Sequence, residues 1–226
     1  MWLTKWPAVL SLACLLLFSS CRSESRPSSQ PSDSEVAETT TLAPTTVTSP
    51  SALSTTVIVE FASPQSVSGW SSIDDSVMGG ISRSTSTWTD SDGSGALLFS
   101  GRMTTEQNGG FTSTFGPVDS SLGQRAKAAS ALGVRAIGDG RTYVLQLRSG
   151  TSGQDRWIAR FTPSVATDGT LVEIPIGSFT PVNRFLRPTI PSTALDPSTI
   201  LQIGFYLVDE QVGDFRLAVH QIAAIS

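Results

Sequence analysis

Asp74 and Asp75 are adjacent carboxylates whose type and spacing could support acid–base catalysis. Neighbouring carboxylates can serve as an acid and a base, because their mutual repulsion separates their affinities for a proton. Successive residues of an extended chain point to opposite faces, however, so the two groups would diverge. The pair stands just before Gly79 and Gly80, and we therefore interpret these carboxylates as turn caps rather than catalytic groups.

His220 is the only histidine of the chain and would be the natural general base. It stands between Val219 and Ile222 in a strand-like segment, which favours a structural histidine with hydrogen-bonded ring nitrogens. The sequence has no Gly-x-Ser-x-Gly elbow and no phosphate-binding loop, and the folded domain has no cysteine nucleophile. We therefore predict no catalytic residues, no cofactor and no enzymatic activity.

Three carboxylates surround one predicted turn near the carboxyl end, at Asp209, Glu210 and Asp214. Oxygen ligands clustered in this way could bind calcium. Their spacing does not follow the EF-hand pattern, and a solvated acidic loop explains them better. No metal site is therefore predicted.

The arginines Arg148 and Arg160 are candidates for ligand binding. Side-chain alternation places Arg148, with Gln146, opposite Leu147 and places Arg160 opposite Trp157, so these polar side chains could share an outer sheet face. Guanidinium groups beside an aromatic ring bind carboxylates or sugar hydroxyls, whereas the alternative is a pair of ordinary solvated arginines. The candidate ligand-binding residues from the whole sequence are Asp75, Asn108, Arg148, Trp157 and Arg160.

Two glycine doublets punctuate the first half of the folded region, Gly79–Gly80 and, thirty residues later, Gly109–Gly110. Glycine pairs are found where the backbone needs positive φ or close approach to another strand. Asp75 and Asn108 precede the doublets, as turn caps or as ligand-binding groups. Each doublet opens a β-like run, over residues 81–84 and 111–114, which predicts two strands starting together at one edge of a sheet sandwich.

The elements that must position these residues are strands. Short segments rich in β-branched and aromatic residues are separated by clusters of Asp and Gly, with a hairpin turn predicted at residues 138–140. A helical pattern is weak and confined to residues 120–131. The pattern predicts an all-β fold, an antiparallel β-sandwich. The predicted strands span residues 57–61, 96–99, 132–136, 143–148, 157–161, 171–174 and 203–207.

The two doublets, with the FSG sequence at residues 99–101 between them, resemble the signature of the complex I intermediate-associated protein 30 family. The resemblance implies a galactose-binding-like jelly roll and a non-catalytic role in the assembly of respiratory complex I. Jelly rolls of this kind often hold a structural calcium partly through an acid in the last strand, where this chain has His220. A neutral imidazole is a poor calcium ligand, which weakens the metal inference. The resemblance continues through residues 138–143, 157–161, 174–179, 203–207 and 213–215.

The amino-terminal residues predict export and lipid attachment. Lys5 and the apolar run over residues 8–18 are typical of a signal peptide, and the sequence LFSSC at residues 17–21 resembles a bacterial lipobox with Phe18 in place of the usual Leu. We expect acylation of Cys21 and anchoring on the extracytoplasmic membrane face; the alternative is an ordinary signal peptide. Residues 22–56, rich in Ser, Thr and Pro, predict a disordered tether before a single domain at residues 57–226.

Charge narrows the class of partner. The net charge of −4 and the absence of a basic stripe in the sequence argue against nucleic-acid binding. The leading hypothesis is a non-catalytic binding module that acts as an assembly or chaperone-like factor for membrane protein complexes. The alternative is a carbohydrate-binding module for cell-envelope or external glycans, and a hydrolase of unknown type ranks last. Predicted partners are thus a membrane, through Cys21, and a protein or a glycan.

Overall fold

The computed structural model describes residues 54–91, 93–166, 169–190 and 193–226. The predicted signal peptide and Cys21 lie outside these residues, as does the predicted tether up to residue 53. The tether was predicted to run to residue 56, but the first strand already begins at Thr55. The described chain forms two six-stranded antiparallel sheets, which confirms the predicted all-β sandwich.

The strands of the first sheet, called sheet one, are β1 (Thr55–Glu60), β3 (Arg83–Ser91), β4 (Ser94–Met103), β6 (Ala131–Ile137), β9 (Leu171–Pro175) and β12 (Gly213–Ile225). The sheet has β3 and β9 at its edges and β12 at its centre, in the order β3-β4-β12-β6-β9. The long strand β12 pairs with β4 through residues 213–219 and with β1 through residues 221–225, while β6 lies along its other side.

The strands of the second sheet, called sheet two, are β2 (Ser71–Asp74), β5 (Thr112–Phe115), β7 (Tyr143–Ser149), β8 (Asp155–Phe161), β10 (Thr180–Val182) and β11 (Gln202–Leu207). Their order is β10-β8-β7-β11-β5-β2, and every pairing within the sheet is antiparallel.

The main core fills the space between the two sheets. Leu145 and Leu147 of β7 and Phe205 of β11 point into it, together with Leu132 of β6 and Leu217 of β12. Alternation along a strand then forces the intervening side chains of sheet two onto its other side, which we call the outer face. The fold thus converts a period of two in the sequence into one buried face and one face available for binding.

Helical structure is sparse in the described residues. The α-helix α1 (Leu122–Ala126) lies within the segment whose weak helical pattern was noted. No described helix is long and apolar enough to cross a membrane. The other helical segments are short 3-10 helices, at Pro64–Val67, Asp75–Met78, Glu106–Asn108, Ile176–Ser178 and Pro197–Thr199.

One prediction about a chain connection was wrong. Residues 138–140 do not form a hairpin, because β6 before them belongs to sheet one and β7 after them to sheet two. The strands that follow the glycine doublets belong to different sheets of the sandwich. The strand after the first doublet is β3, at the edge of sheet one, and the strand after the second is β5, in sheet two between β2 and β11. Each doublet therefore serves a different sheet.

Candidate functional site

Asp75 connects the two glycine doublets. Its side chain is fully buried, and its carboxylate accepts hydrogen bonds from the backbone N–H of Ser82 at 3.0 Å and from that residue's hydroxyl at 2.5 Å. The same carboxylate accepts the backbone N–H groups of Gly110 at 2.8 Å and Phe111 at 3.4 Å. We call this set of contacts the Asp75 junction. The carboxylate of Asp75 is thus enclosed by donors of its own chain.

Hydrogen bonding decides the ionisation of Asp75. Burial by itself raises the pKa of this carboxyl group, but the bonds from Ser82, Gly110 and Phe111 outweigh it and hold the pKa below its ordinary value of 3.8. The neighbouring carboxylate of Asp74 accepts the backbone N–H of Ser84 at 2.8 Å and its hydroxyl at 2.5 Å. The two carboxylates therefore hold separate serines, and no contact joins them as an acid–base pair.

The glycines around Asp75 serve two different needs. A Cβ at Gly80 would lie 2.3 Å from Oδ1 of Asp75, and one at Gly109 would lie 2.8 Å from Oδ2, so both positions must stay free of a side chain. Gly79 and Gly110 instead have φ angles of 91° and 143°. Each doublet thus combines one close approach with one backbone conformation that L side chains rarely adopt.

The predicted site residues Asp75 and Asn108 fall at this junction, but only one of them is accessible. Asn108 is exposed and has a φ of 61°, a conformation that Asn tolerates better than most residues. Asp75 has no surface from which to reach a ligand. The junction is therefore a connection between the two sheets of the scaffold, and we assign no ligand to it.

The outer face of sheet two holds the polar side chains that can bind a ligand. Strand register sets them in three neighbouring rows across β8, β7, β11 and β5. The first row is Arg160, Val144, Tyr206 and Ser113; the second is Ile158, Gln146, Gly204 and Phe115; the third is Arg156, Arg148 and Gln202.

Phe115 is the aromatic centre of the outer face. Its ring lies over the backbone of β11, where a Cβ at Gly204 would come within 2.3 Å of it. The guanidinium carbon of Arg148 is 5.0 Å from the ring centroid, and the ring of Tyr206 meets it edge-on at 5.4 Å. Gly204 thus lets one ring support both a cation and a phenol.

Several polar atoms of the outer face have no hydrogen-bond partner in the described structure. Gln146 is 1% exposed, yet neither its amide nitrogen nor its amide oxygen makes a hydrogen bond of ordinary geometry. Burial raises the pKa of the nearby Tyr206 phenol, and the charges of Arg148 and Arg156 and the proximity of Gln146 oppose that rise in part. Nε of Arg148 and Oε1 of Gln202 are also buried without partners. Buried polar groups are rarely left in this state unless a ligand or water completes them.

Arg148 and Arg156 stand directly opposite each other on β7 and β8. Burial lowers the pKa of Arg148, and the positive charge of Arg156 lowers it further. Like charges directly opposite in a sheet are destabilising. The outer face therefore concentrates positive charge on a chain whose net charge is −4.

The other predicted ligand-binding residues are placed differently. Arg160 lies on the outer face as expected, but Asp209 binds its guanidinium through two hydrogen bonds of 2.8 and 3.0 Å and raises its pKa. Trp157 points into the main core, with its indole N–H bonded to Ser149 at 3.0 Å. Because alternation puts Trp157 on the opposite side of sheet two from Arg148, it has no access to the outer face and does not belong to the site.

The predicted metal-ligand candidates are dispersed. Asp209 is bound to Arg160, and Asp214 to Arg102 at 3.0 Å. His220 is buried at a β-bulge of β12, with Nδ1 3.1 Å from the carbonyl oxygen of Gly95, in the manner of a structural histidine. Within the described ranges no cluster of three or more metal-ligating side chains is found.

The arrangement defines a jelly-roll β-sandwich with a polar, aromatic outer face. The sequence model of complex I intermediate-associated protein 30 matches residues 59–219, and the chain belongs to that family. No curated protein sequence matches the chain.

Solved structures share the fold. One is a family 11 carbohydrate-binding module of the cellulosomal cellulase Lic26A-Cel5E of Clostridium thermocellum, with a TM-score of 0.57 at 16% identity, over 78% of this chain and 97% of that one. Another is the family 11 module of the same organism in complex with a β-1,3-1,4-mixed-linked tetrasaccharide, with a TM-score of 0.55 at 17% identity, over 77% of this chain and 97% of that one. At these identities the likeness establishes the fold and carries no information on the ligand.

Sequence reasoning missed Gln146, Gln202, Tyr206 and Phe115 as site residues. The signal for Gln146 and Tyr206 was present, because both alternate with core residues in strands that had been predicted. Phe115 and Gln202 could not be found in this way, because their place on the outer face depends on the pairing of β5 and β11.

Proposed function

We propose that the chain is a non-catalytic binding module whose ligand binds on the outer face of sheet two. The observation that carries the proposal is Gln146, a fully buried amide with two unpartnered polar atoms, next to Arg148 in β7 and close to Tyr206. A ligand that shifts either of these half-buried side chains gains a donor and an acceptor at the floor of the site. Keeping such a group costs stability, which is a recurrent property of functional sites.

The chemistry of the face favours a glycan. Sugar rings present hydroxyl groups to amides and guanidinium groups and stack their C–H faces on aromatic rings. Gln146, Gln202, Arg148 and Tyr206 provide these groups. A module of this fold from Clostridium thermocellum is known in complex with a tetrasaccharide, but the side chains of the outer face here are the reason for proposing the same class of ligand.

A matched pair of variants tests the proposal in the full-length chain. Gln146→Leu and Thr112→Val each replace a buried, unpartnered polar group with an apolar one, but Thr112 pairs with core-facing Leu207 and lies on the core side. On a glycan array followed by calorimetry, Gln146→Leu should lose binding and Thr112→Val should keep it. Equal binding by both variants, or no glycan bound by the unaltered chain, contradicts the proposal.

Family membership and an exposed apolar segment favour a second function, assembly of membrane protein complexes. Val77 and Met78 are 70% and 54% exposed. Ile81, a few residues on, lines a cavity of about 210 Å³ together with Met103 and Val212. Solvent-exposed apolar groups concentrated in one segment are typical of protein contact surfaces. For a complex of the respiratory complex I type, an exported factor would contact the membrane arm.

Capture of partners from solubilised membranes tests this second function. Replacing Val77 and Met78 with Ser should abolish capture of a membrane protein complex, whereas Val118→Ser, which alters a residue 69% exposed elsewhere, should not. Gln146→Leu should leave this capture intact, so the two functions are separable. Equal loss with Val118→Ser would mean non-specific apolar adsorption.

We also propose that Cys21 carries the lipid that holds the domain at the extracytoplasmic membrane face. The support is the apolar run that ends in the sequence LFSSC at residues 17–21. Mass spectrometry of the mature protein should find a diacylglyceryl group on Cys21, and Cys21→Ala should release the protein from membranes. A mature terminus elsewhere and without lipid contradicts the proposal.

A further inference from the structure

In the third row of the outer face two arginines are neighbours, and neither forms an ion pair with a carboxylate of the described residues. Arg148 and Arg156 are direct partners in the register of β7 and β8, so their side chains leave the sheet side by side. The ion pairs found in the described residues engage other arginines, namely Arg102, Arg125, Arg141 and Arg160. The third row is therefore a pair of like charges without an acid to balance it among those residues.

The hydrogen-bonding capacity of this pair is also incompletely used. Nη1 of Arg156 donates to the carbonyl oxygen of Gln154 at 3.0 Å, while Nε of Arg148 is buried and donates to nothing in the described structure. Gln202, the other neighbour of Arg148 in its row, has its Oε1 unpartnered, with its Nε2 donating to the carbonyl oxygen of Gly116 at 2.6 Å. One unused donor, Nε of Arg148, and one unused acceptor, Oε1 of Gln202, therefore lie in the row next to the buried amide of Gln146.

The surroundings add positive charge. The loop at residues 183–190 follows β10, which pairs with β8, and its Leu186 packs against the small apolar cluster that includes Ile158 and Val182. This loop carries Arg184 and Arg187 and contains no acidic residue. The acid next to Arg156 in sequence, Asp155, pairs across the sheet with core-facing Ser149 and so belongs to the opposite face.

We propose, resting on the function proposed above, that the ligand of the outer face is an acidic glycan whose uronate carboxylate is bound by Arg148 and Arg156. A carboxylate between the two guanidinium groups accepts hydrogen bonds from both and removes their repulsion. Gln146 then binds a hydroxyl of the same or the next sugar. The ring of Phe115, 5.0 Å from the guanidinium carbon, helps to keep Arg148 in place beside Arg156.

Matched oligosaccharides separate this inference from the broader one. Tetramers of galacturonate, mannuronate and glucuronate differ from the corresponding neutral tetramers in having a carboxylate in place of a hydroxymethyl group. Calorimetry with the full-length chain should find binding of at least one uronate tetramer at least about ten-fold tighter than that of its neutral counterpart. The uronate affinity should also fall with added salt, because the arginines are only partly buried.

Variants then assign the effect. Arg148→Gln and Arg156→Gln should each lose at least about ten-fold in uronate affinity and lose the preference over the neutral tetramer. Arg216→Gln removes the same charge from an exposed position on β12 of sheet one and should change neither. Arg156, being the more peripheral of the pair, keeps the test valid if Arg148→Gln fails to fold.

Each outcome is decisive. Equal binding of acidic and neutral tetramers, with loss in Gln146→Leu, overturns the inference of an acidic ligand and leaves the glycan-binding function standing. Equal loss of uronate binding in Arg216→Gln reduces the effect to net charge and overturns the inference as well. If none of the tetramers binds, the inference fails, and the proposed function fails with it only if the glycan array also finds no ligand for the unaltered chain.

Discussion

The backbone N–H of Gly110 donates a 2.8 Å hydrogen bond to the carboxylate of Asp75, which lies 35 residues earlier in the chain. Asp75 ends up beside both glycine doublets because this bond, with those from Ser82, draws the chain before β3 and the chain before β5 onto one carboxylate. One buried side chain therefore links β3, an edge strand of sheet one, to β5 of sheet two. Its expected role is in stability rather than in binding.

Asp75→Asn should lower the free energy of unfolding by about 1–3 kcal/mol, because the new amide nitrogen cannot accept the hydrogen bonds that the lost oxygen accepted. Urea unfolding followed by tryptophan fluorescence measures the change.

Asn108→Ala should lower the free energy of unfolding by about 1 kcal/mol, because the backbone at that exposed position is left-handed. The same urea unfolding experiment measures it. Neither variant should alter ligand affinity once it is folded. A folded Asp75→Asn protein that has lost its ligand would move the site to the junction.

Acid should destabilise the protein partly through this same carboxylate. The pKa of Asp75 is lowered in the folded state, so the unfolded chain takes up a proton more readily and acid favours unfolding. Its contribution is complete above the unfolded value of 3.8 and disappears as the pH falls through the lower folded value. The pKa of Asp119, held at about 2 by hydrogen bonds from Arg125 and Ser121, acts in the same direction.

The Asp75→Asn variant should therefore lose less stability than the unaltered chain between pH 5 and pH 2. Thermal unfolding across that range measures the difference. Parallel curves for the two proteins would mean that Asp75 titrates alike in the folded and unfolded states.

Gly80 and Asp75 should be energetically coupled. Gly80→Ala brings a Cβ to 2.3 Å from Oδ1 of Asp75, so it should cost on the order of 1–3 kcal/mol in the unaltered chain. It should cost less in an Asp75→Ala background, where that oxygen is gone. Gly79→Ala is the control, because nothing lies within 4 Å of its added Cβ and its cost comes from a φ of 91°. Its cost should be the same in both backgrounds, as a double-mutant cycle would report.

Arg156→Gln should make the protein more stable and should lower its affinity for the ligand. Removing one of two opposed like charges should raise the free energy of unfolding by a few tenths of a kcal/mol, within the range of about 0.2–1 kcal/mol for cross-strand pairs. The gain should shrink as salt is added, since salt screens the repulsion. Arg216→Gln, remote from this pair, should show neither the gain nor its salt dependence. A loss of stability in Arg156→Gln would mean that the arginines do not repel each other.

Gly204→Ala should damage the ligand site through Phe115. The added Cβ would lie 2.3 Å from the ring, which must move and take the support of Arg148 and Tyr206 with it. We expect both a lower melting temperature and a lower affinity for the ligand. Phe115→Leu in the Gly204→Ala background should recover melting temperature more than affinity, because leucine relieves the clash but offers no ring to the guanidinium. Full recovery of affinity would remove Phe115 from the site.

The sequence was informative where a rule of period two applied. Alternation along β7 and β8 correctly placed Arg148 and Arg160 on one outer face, and the same rule already put Trp157 on the other side, in the core. Composition and turn residues were enough to predict the fold class. These features depend on residues close together in the chain, and local patterning determines them.

Contacts that depend on strand register could not be predicted from the sequence. The opposition of Arg148 and Arg156 exists only because β7 and β8 pair with one specific register, and the isolation of Gln146 exists only because Gly204 faces it from β11. The joint use of Asp75 by both glycine doublets likewise requires two sheets to approach each other. A residue's type could be interpreted from the sequence, but its partner could not.

The position of β12 in sheet one determines when this domain can fold. Three strands hydrogen-bond to β12, and in chain order it follows all of them. A nascent chain that has been synthesised only as far as residue 212 has β1, β4 and β6 but not the strand that joins them. The edges of these strands that later pair with β12 stay unpaired until then, because contacts distant in sequence form late. Unpaired strand edges can associate with other chains. Sheet one therefore cannot be completed during synthesis until residues 213–225 have emerged.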